Sequence, residues 1–305
     1  MSMLFLAAAA ALASSNVTTA GPKGPLAATL IDPGKQAPAL ILIPGSGPTD
    51  RDGNNVMGVS GGIYRRLAEQ WAARGVATLR IDKRGMFGSK AAIADANAVT
   101  IADYAADVHG WATFMRARDK IACGSRGIAR AASSRSPPRS GRKGFAASSC
   151  SPLPDGRLEI SFAQLKPKLP PEMFASAEAA ITRLEQRQRV DPASVPAPLA
   201  PLFNTAVQGY MIDLMAQDPV KLAAATRLPM LIVQGETDIQ VGVDDARALA
   251  AAHPGAKLVL IPGINHLWRK APADPAANAA TYRDASIPVD PAVATAIARF
   301  VSTKR

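Results

Sequence analysis

Short apolar runs alternate with amphipathic stretches along most of the chain. Apolar positions spaced three to four residues apart predict helices over Ile63–Arg74, Ile101–Arg116, Val243–Ala252 and Pro291–Val301. Five apolar runs bounded by turn residues predict buried strands: Gly24–Leu30, Leu40–Ile43, Val76–Ile81, Pro229–Gln234 and Lys257–Ile261. Strands and helices that alternate at this pitch predict an α/β fold with a mostly parallel central sheet and helices on both faces.

One long region departs from this alternation. Residues 161–228 carry no strand pattern, and they predict helices over Pro171–Arg187 and Leu202–Met215 with a proline-rich turn over Pro192–Pro201. We interpret the region as a helical lid inserted over the sheet edge where ligands bind. The alternative is a plain helical layer of the core.

The N-terminus has the character of a targeting segment. Residues 2–13 are apolar and end in Ala-Leu-Ala, which is typical of a secretory signal peptide, although no Lys or Arg precedes them. The run is too short to span a membrane. We therefore expect a signal peptide or tail over 1–20 and export to the periplasm or medium; the alternative is a cytoplasmic protein with an apolar tail. The α/β domain itself is expected over 21–305.

The composition of the chain is unusual in one segment only, which is strongly basic. The chain has 305 residues and a net charge of +11, and seven Arg or Lys against one Asp between Ile121 and Arg157 supply +6 of it. Residues 125–143 offer no aromatic side chain for base stacking and no apolar helical face, so we expect neither a nucleic-acid partner nor stable membrane insertion. Both cysteines, Cys123 and Cys150, lie in or beside this basic stretch without metal spacing or a disulfide framework.

Two polar residues follow the last two predicted strands. Asp238 lies four residues after Gln234, and His266 lies five residues after Ile261. Because the carboxyl ends of parallel strands line one crevice, these side chains are expected to meet. The carboxylate would orient the imidazole, and the imidazole would act as a general base. Of the other histidines, His109 lies inside a predicted helix and His253 ends one.

A glycine-rich loop follows the strand at Leu40–Ile43. Its residues Gly45, Ser46 and Gly47 expose backbone N–H groups that can hold an anion, either a phosphate or the oxyanion of an acyl-transfer intermediate. A phosphate loop of the P-loop type would also need Gly-Lys-Ser/Thr, which is absent. Asp50-x-Asp52-Gly53 is only a fragment of a calcium loop.

Four segments together make the chain resemble the α/β-hydrolase superfamily, in particular bacterial serine esterases and lipases. They are LILIPGSGPTDRDGN, RIDKRGMFGS, LIVQGETDIQV and LIPGINHLW. The resemblance covers 40–118 and 166–305. It implies that Asp238 and His266 are the acid and base of a catalytic triad and that backbone N–H groups around Gly45–Gly47 form half of an oxyanion hole. Pro44 stands where many relatives have His, which leaves the backbone donors intact.

The resemblance also implies a G-x-S-x-G nucleophile elbow near residue 128, and this motif is missing. The stretch over 121–160 is rich in Arg, Ser and Pro, and we expect that it cannot form the buried strand and helix of the fold. With G/C-rich codons, Arg126–Pro138 read two bases later gives Gly-His-Ser-Glu-Gly-Gly-Leu-Val-Ala-Leu-Ala-Ala. Continued over Arg139–Ile160, the same frame gives an apolar strand. We interpret Cys123–Ile160 as a compensated frameshift.

The expected parent activity is hydrolysis of a small carboxylic ester through an acyl-enzyme, without cofactor or metal. As written, the chain is expected to be inactive or nearly so. One alternative is an active esterase that uses Ser125 of Cys123-Gly124-Ser125-Arg126-Gly127 as nucleophile. Another is a non-catalytic ligand-binding homologue, which is disfavoured because Asp238 and His266 are retained while a core strand is lost.

Overall fold

The computed structural model describes residues 14–34, 37–45, 47–56, 58–119, 126–128, 145–148 and 169–303. Within these ranges the strands are β1 Ser14–Thr19, β2 Leu26–Ile31, β3 Ala39–Leu42, β4 Ala77–Ile81, β5 Arg126–Ile128, β6 Phe145–Ser148, β7 Met230–Gly235 and β8 Lys257–Ile261. The α-helices are α1 Ile63–Ala72, α2 Ile101–Asp119, α3 Pro171–Glu185, α4 Thr205–Met215, α5 Pro219–Ala225, α6 Val243–Ala252, α7 Pro275–Ala280 and α8 Pro291–Ser302.

The strands form one twisted sheet in the order β1-β2-β4-β3-β5-β6-β7-β8. The pairs β1–β2 and β2–β4 are antiparallel, whereas every pair from β4–β3 to β7–β8 is parallel. The predicted mostly parallel α/β sheet is therefore confirmed. In the parallel part, the carboxyl ends of β3, β4, β7 and β8 lie at one edge, where the loops named above begin.

Strand β3 explains why helices cover both faces. All four of its residues are buried, and they alternate between two apolar clusters. Leu40 and Leu42 pack with Trp71 of α1 and with α8, while Ile41 packs on the other side with Trp111 of α2. A short strand with apolar side chains on both faces is stable only between two helical layers.

The segment over 169–228 is helical, as predicted, and it builds a core of its own. Helix α3 contributes Phe174, Ile181 and Leu184 to this cluster, and the following turns and α4 contribute Phe203 and Met215. Helix α4 also packs on α2. The lid interpretation itself stays a prediction.

Two expectations need correction. Ser14–Thr19 pairs with β2 over its whole length, so the folded domain includes this strand rather than beginning at residue 21. The stretch over 121–160 was expected to supply no central strand, yet β5 and β6 lie there and bridge β3 to β7. Backbone hydrogen bonds do not depend on side-chain type, so three or four residues can pair where the sheet needs a partner. Among the described residues, no helix is long and apolar enough to cross a membrane.

Candidate active site

Asp238 and His266 meet at the carboxyl edge of the sheet, as the sequence predicts. The His266 ring atom Nδ1 lies 3.0 Å from Asp238 Oδ2, and the two side chains are 18% and 5% exposed. The buried carboxylate also accepts hydrogen bonds from the backbone N–H groups of Gln240 at 2.7 Å and Val241 at 3.0 Å. These bonds fix the carboxylate, and the carboxylate in turn orients the imidazole.

The surroundings of Asp238 keep it ionised. Burial by itself raises the pKa of this carboxyl group. The neighbouring imidazole of His266 and the two backbone N–H donors act in the opposite direction and outweigh burial, so the pKa lies below its ordinary value. A carboxylate that holds its charge in a buried position can stabilise an imidazolium as it forms.

The loops that carry the pair are held together by their backbones. A Cβ on Gly235, the last residue of β7, would lie 2.0 Å from the carbonyl oxygen of Ile264, so only glycine allows this approach. The Thr237 N–H then donates to the same carbonyl at 3.2 Å, and the Glu236 N–H donates to Ile261 at 3.1 Å. The acid loop and the base loop therefore form one unit.

Two fully buried asparagines brace this unit from behind. The Asn265 side chain accepts from the Leu267 N–H at 3.0 Å, which shapes the turn that carries His266. Asn278 of α7 donates to the carbonyls of Thr237 at 2.7 Å and Pro272 at 2.9 Å, which ties the acid loop to the segment after β8. Buried amides satisfied in this way specify a single loop geometry.

Across the sheet edge, the glycine loop after β3 is held by two side chains. The buried Lys83 ammonium donates to the carbonyl oxygens of Gly45 and, at 2.6 Å, Gly47. The Gly45 N–H donates to the Tyr64 hydroxyl at 3.4 Å. No partner for the Gly47 N–H lies among the described residues. The third predicted oxyanion residue, Ser46, and the predicted nucleophile Ser125 both lie outside those residues.

No protein-family model and no curated sequence matches the chain. Among solved structures, DcsB in complex with its substrate analogue is 15% identical, with 96% of this chain and 100% of DcsB covered and a TM-score of 0.55. The 2,6-dihydroxy-pseudo-oxynicotine hydrolase is 12% identical, with 95% and 69% covered and a TM-score of 0.52. A thermophilic esterase from Thermogutta terrifontis is 16% identical, with 95% and 98% covered and a TM-score of 0.50.

The protein has the α/β-hydrolase fold. The neighbours at these identities show the fold alone, and the fold predicted from the four sequence segments is thereby confirmed. In this fold the carboxyl edge that carries Gly47, Asp238 and His266 is the ligand-binding edge of the sheet.

The acidic residues after the glycine loop serve the scaffold of the α/β-hydrolase fold. Asp50 accepts from the backbone N–H groups of Asp52 and Asn54 at 2.9 and 2.8 Å, and Asp52 is bonded to Arg80. The calcium-loop alternative is therefore not supported, and no cluster of three metal-ligating side chains occurs among the described residues. The other histidines lie elsewhere, as predicted: His109 bonds to the Ala105 carbonyl inside α2, and His253 follows α6.

Sequence reasoning missed the supporting residues. Lys83, Tyr64, Asn265 and Asn278 all touch the loops that carry the predicted site residues. For two of these residues, their position in the sequence was a usable signal. Lys83 lies two residues after the end of β4, and Asn265 adjoins His266 in the sequence. Tyr64 and Asn278 lie on helices whose position relative to the loops only the three-dimensional structure gives.

Proposed function

We propose that the protein is built as a serine hydrolase that cleaves small-molecule carboxylic esters through an acyl-enzyme, and that the chain as written lacks its nucleophile. The observation that carries this proposal is the hydrogen bond of 3.0 Å between His266 Nδ1 and the buried, ionised Asp238. A carboxylate–imidazole pair at the ligand-binding edge, with a glycine loop at the same edge, fits general-base activation of a hydroxyl nucleophile.

The chemistry follows from these positions. A serine Oγ attacks the ester carbonyl carbon while His266 removes its proton, and Asp238 stabilises the imidazolium. Backbone N–H groups of the glycine loop hold the oxyanion of the tetrahedral intermediate. When the intermediate collapses, His266 protonates the departing alcohol. Water, activated by the same imidazole, then attacks the acyl-serine and releases the carboxylic acid.

The register of β5 supports the frameshift interpretation. The serine of the restored Gly-His-Ser-Glu-Gly motif takes position 128, at the end of β5, and Ile128 pairs with Leu42. Position 128 therefore lies at the carboxyl edge of the sheet. Its partner Leu42 precedes Gly45 by three residues. Ser125 precedes β5, whereas Asp238 and His266 follow β7 and β8. The alternative nucleophile is therefore less well supported than a serine at position 128.

The decisive experiment compares the chain as written with an elbow-restored chain. The restored chain carries the shifted-frame sequence in place of Arg126–Ile160, and hydrolysis of p-nitrophenyl acetate is measured for both. We expect turnover only in the restored chain, and we expect His266→Ala to abolish it. An inactive restored chain that still binds ester analogues would favour the non-catalytic ligand-binding alternative. Activity of the original chain that disappears with Ser125→Ala would favour the unusual elbow.

We further propose export of the protein. A cleavage after Ala13 would leave β1 complete, because this strand begins at Ser14. Expression with a C-terminal tag, followed by fractionation and N-terminal sequencing, tests this proposal. A tagged protein that keeps residues 2–13 and stays in the cytoplasm would contradict it.

A further inference from the structure

A polar cavity lies beside the antiparallel strands, away from the acid–base pair. Its volume is about 540 Å³, within the range of roughly 300–1,000 Å³ that is typical of small-molecule sites. Its walls come from β1, β2, β4, the loop after β3 and α1, and its polar lining includes Asn16, Thr29, Arg51, Asp52, Arg65 and Arg80. In the sheet, β3, β5 and β6 lie between β4 and β7, so this cavity is distinct from the site at Asp238 and His266.

The floor of the cavity follows from the register of the strands. Asn16 of β1 pairs with Thr29 of β2, and Thr29 pairs with Arg80 of β4. Because directly paired residues project to the same face of a sheet, these three side chains form one row. The Thr29 hydroxyl donates to Asn16 Oδ1 at 2.9 Å and accepts from Arg51 Nη1 at 3.1 Å. The row therefore presents hydrogen-bonding groups on the face of the sheet where α1 packs.

The wall of the cavity carries more cations than anions. Its cations are Arg51, Arg65 and Arg80. Its one carboxylate among the described residues is Asp52, which is bonded to Arg80. The acids that pair with the other two arginines are Asp82 and Glu69, and neither lines the cavity. Burial lowers the pKa of Arg80, the other two arginines lower it further, and the nearby carboxylates offset this only in part. An anion in the cavity would therefore relieve repulsion among the guanidinium groups.

The three arginines also have more hydrogen-bond donors than the described residues use. Each guanidinium carries five N–H groups. Within the described part of the chain, the Arg51 side chain bonds Thr29 and Asp82. The side chains of Arg65 and Arg80 each bond a single carboxylate. Guanidinium groups from three elements suit a phosphate, which offers three strong acceptor oxygens, whereas a planar carboxylate is matched by a single guanidinium.

We propose that this cavity binds a phosphate group, with Arg51, Arg65 and Arg80 as its donors. The group is either free phosphate or the phosphate of a small ester, which the cavity has the volume to hold. Asp52 lies in the same wall and repels the ligand, so it lowers the affinity of the site. This proposal is independent of the proposed hydrolase function, because neither Asp238 nor His266 lines the cavity.

Isothermal titration calorimetry of the chain as written, at about pH 8 where phosphate is mostly a dianion, tests the proposal. We expect saturable binding of inorganic phosphate. Arg65→Met should weaken this binding roughly tenfold, because a charge-assisted hydrogen bond is lost. Asp52→Asn should bind phosphate more tightly than wild type, since a repelling charge is removed while an acceptor for Arg80 remains.

Arg247→Met is the matched control and should leave phosphate binding unchanged. Arg247 pairs with Asp244 at 3.0 Å in an exposed helical pair like that of Arg65, but it does not line the cavity. No saturable binding up to about 10 mM phosphate, or binding that is the same in wild type, Arg65→Met and Asp52→Asn, would overturn the proposal. Malonate, a dicarboxylate of similar charge, would also overturn it by binding as tightly as phosphate. Tighter binding of glycerol 3-phosphate than of inorganic phosphate would identify the ligand as a phosphate ester, and the reverse order would identify free phosphate.

Discussion

The two flanks of the carboxyl edge are held by different chemistry. On the glycine-loop flank, formed by the loops after β3 and β4, the structure is held by ion pairs that each have at least one buried member: Arg51 with Asp82, Arg80 with Asp52, and Arg84 with Asp107. On the acid–base flank, formed by the loops after β7 and β8, side-chain amides and backbone contacts do this work, and Asp238 is the carboxylate at its centre. The geometry of the first flank therefore depends on charge balance, and that of the second depends on close packing.

The largest expected effect of this difference is at Arg84. Its guanidinium bonds Asp107 through Nε at 3.0 Å and through a terminal nitrogen at 2.6 Å, and both side chains are 7% exposed. The hydrogen bonds to Asp107 raise the pKa of Arg84, so the cation is permanent. Arg84→Met leaves a buried carboxylate alone and should lower the free energy of unfolding by roughly 3 kcal/mol or more. Urea denaturation measures this loss.

Arg65→Met is the matched control for Arg84. Arg65 pairs with Glu69 at 3.1 Å on the exposed side of α1, so its loss should cost at most about 0.5 kcal/mol. Replacing both members of the buried pair, Arg84→Met with Asp107→Leu, should recover part of the stability. Equal losses for Arg84→Met and Arg65→Met would contradict the view that buried charge fastens this flank.

Gly235→Ala tests the packing of the acid–base flank. The added Cβ would lie 2.0 Å from the Ile264 carbonyl oxygen, so the base loop must move away from β7. We expect a loss of roughly 2–3 kcal/mol in the free energy of unfolding, from overpacking against backbone that cannot rotate aside. Gly110→Ala is the control, because its Cβ would meet open space within α2 and should stabilise the protein by about 0.5–1 kcal/mol. A stable Gly235→Ala variant would show that the two loops are not coupled.

The two flanks also differ in how far the sequence alone could predict them. Asp238 and His266 follow apolar strands at regular positions, so parallel topology was enough to bring them together. Lys83 also follows a strand, but its neighbours Asp82 and Arg84 are charged too. The sequence alone does not show which of these three side chains contacts the glycine loop. Lys83 donates to two backbone carbonyls, and a backbone carbonyl carries no sequence signal.

The strands within 121–160 and at the N-terminus were missed for a different reason. Arg126–Ile128 has neither alternation nor an apolar run, and it pairs because the sheet has a gap between β3 and β6. Ser14–Thr19 has only one large apolar side chain, Val17, because it is an edge strand with an exposed face. Periodicity in the sequence detects buried faces, so an edge strand such as Ser14–Thr19, which is mostly exposed, escapes it.

Asn278→Ala is expected to disturb the acid–base flank without changing its charge. It removes the two hydrogen bonds that the fully buried Asn278 side chain donates to the carbonyls of Thr237 and Pro272, which should cost about 2 kcal/mol. Because Thr237 adjoins Asp238, the His266 Nδ1 proton should also shift in the NMR spectrum. Asn204→Ala is the control: it removes the N-cap of α4 and should cost about 1 kcal/mol without moving that proton. If the His266 proton does not shift in Asn278→Ala, Asn278 does not help to position the Asp238–His266 pair.

The smallest expected effect concerns the pH dependence contributed by Asp238. Its pKa in the folded protein is lowered below that of an unfolded aspartate, about 3.9. The unfolded state therefore binds its proton first as the pH falls. The resulting stabilisation is complete above about pH 4–5 and is lost as the pH falls through the lower folded pKa. Asp238→Asn cannot titrate, so the part of the pH dependence of stability that Asp238 contributes between pH 6 and pH 3 should disappear.

Chemical denaturation of both proteins over this range measures the effect, and the exposed Asp244→Asn variant controls for the loss of one negative charge. The expected result is a stability difference between wild type and Asp238→Asn that narrows as the pH falls. A difference that stays constant would mean that the hydrogen bond to His266 contributes equally with a neutral and an ionised partner. The pKa of Asp238 would then not be lowered on folding, which would contradict the stabilisation of its charge by the His266 imidazole and by the Gln240 and Val241 N–H groups.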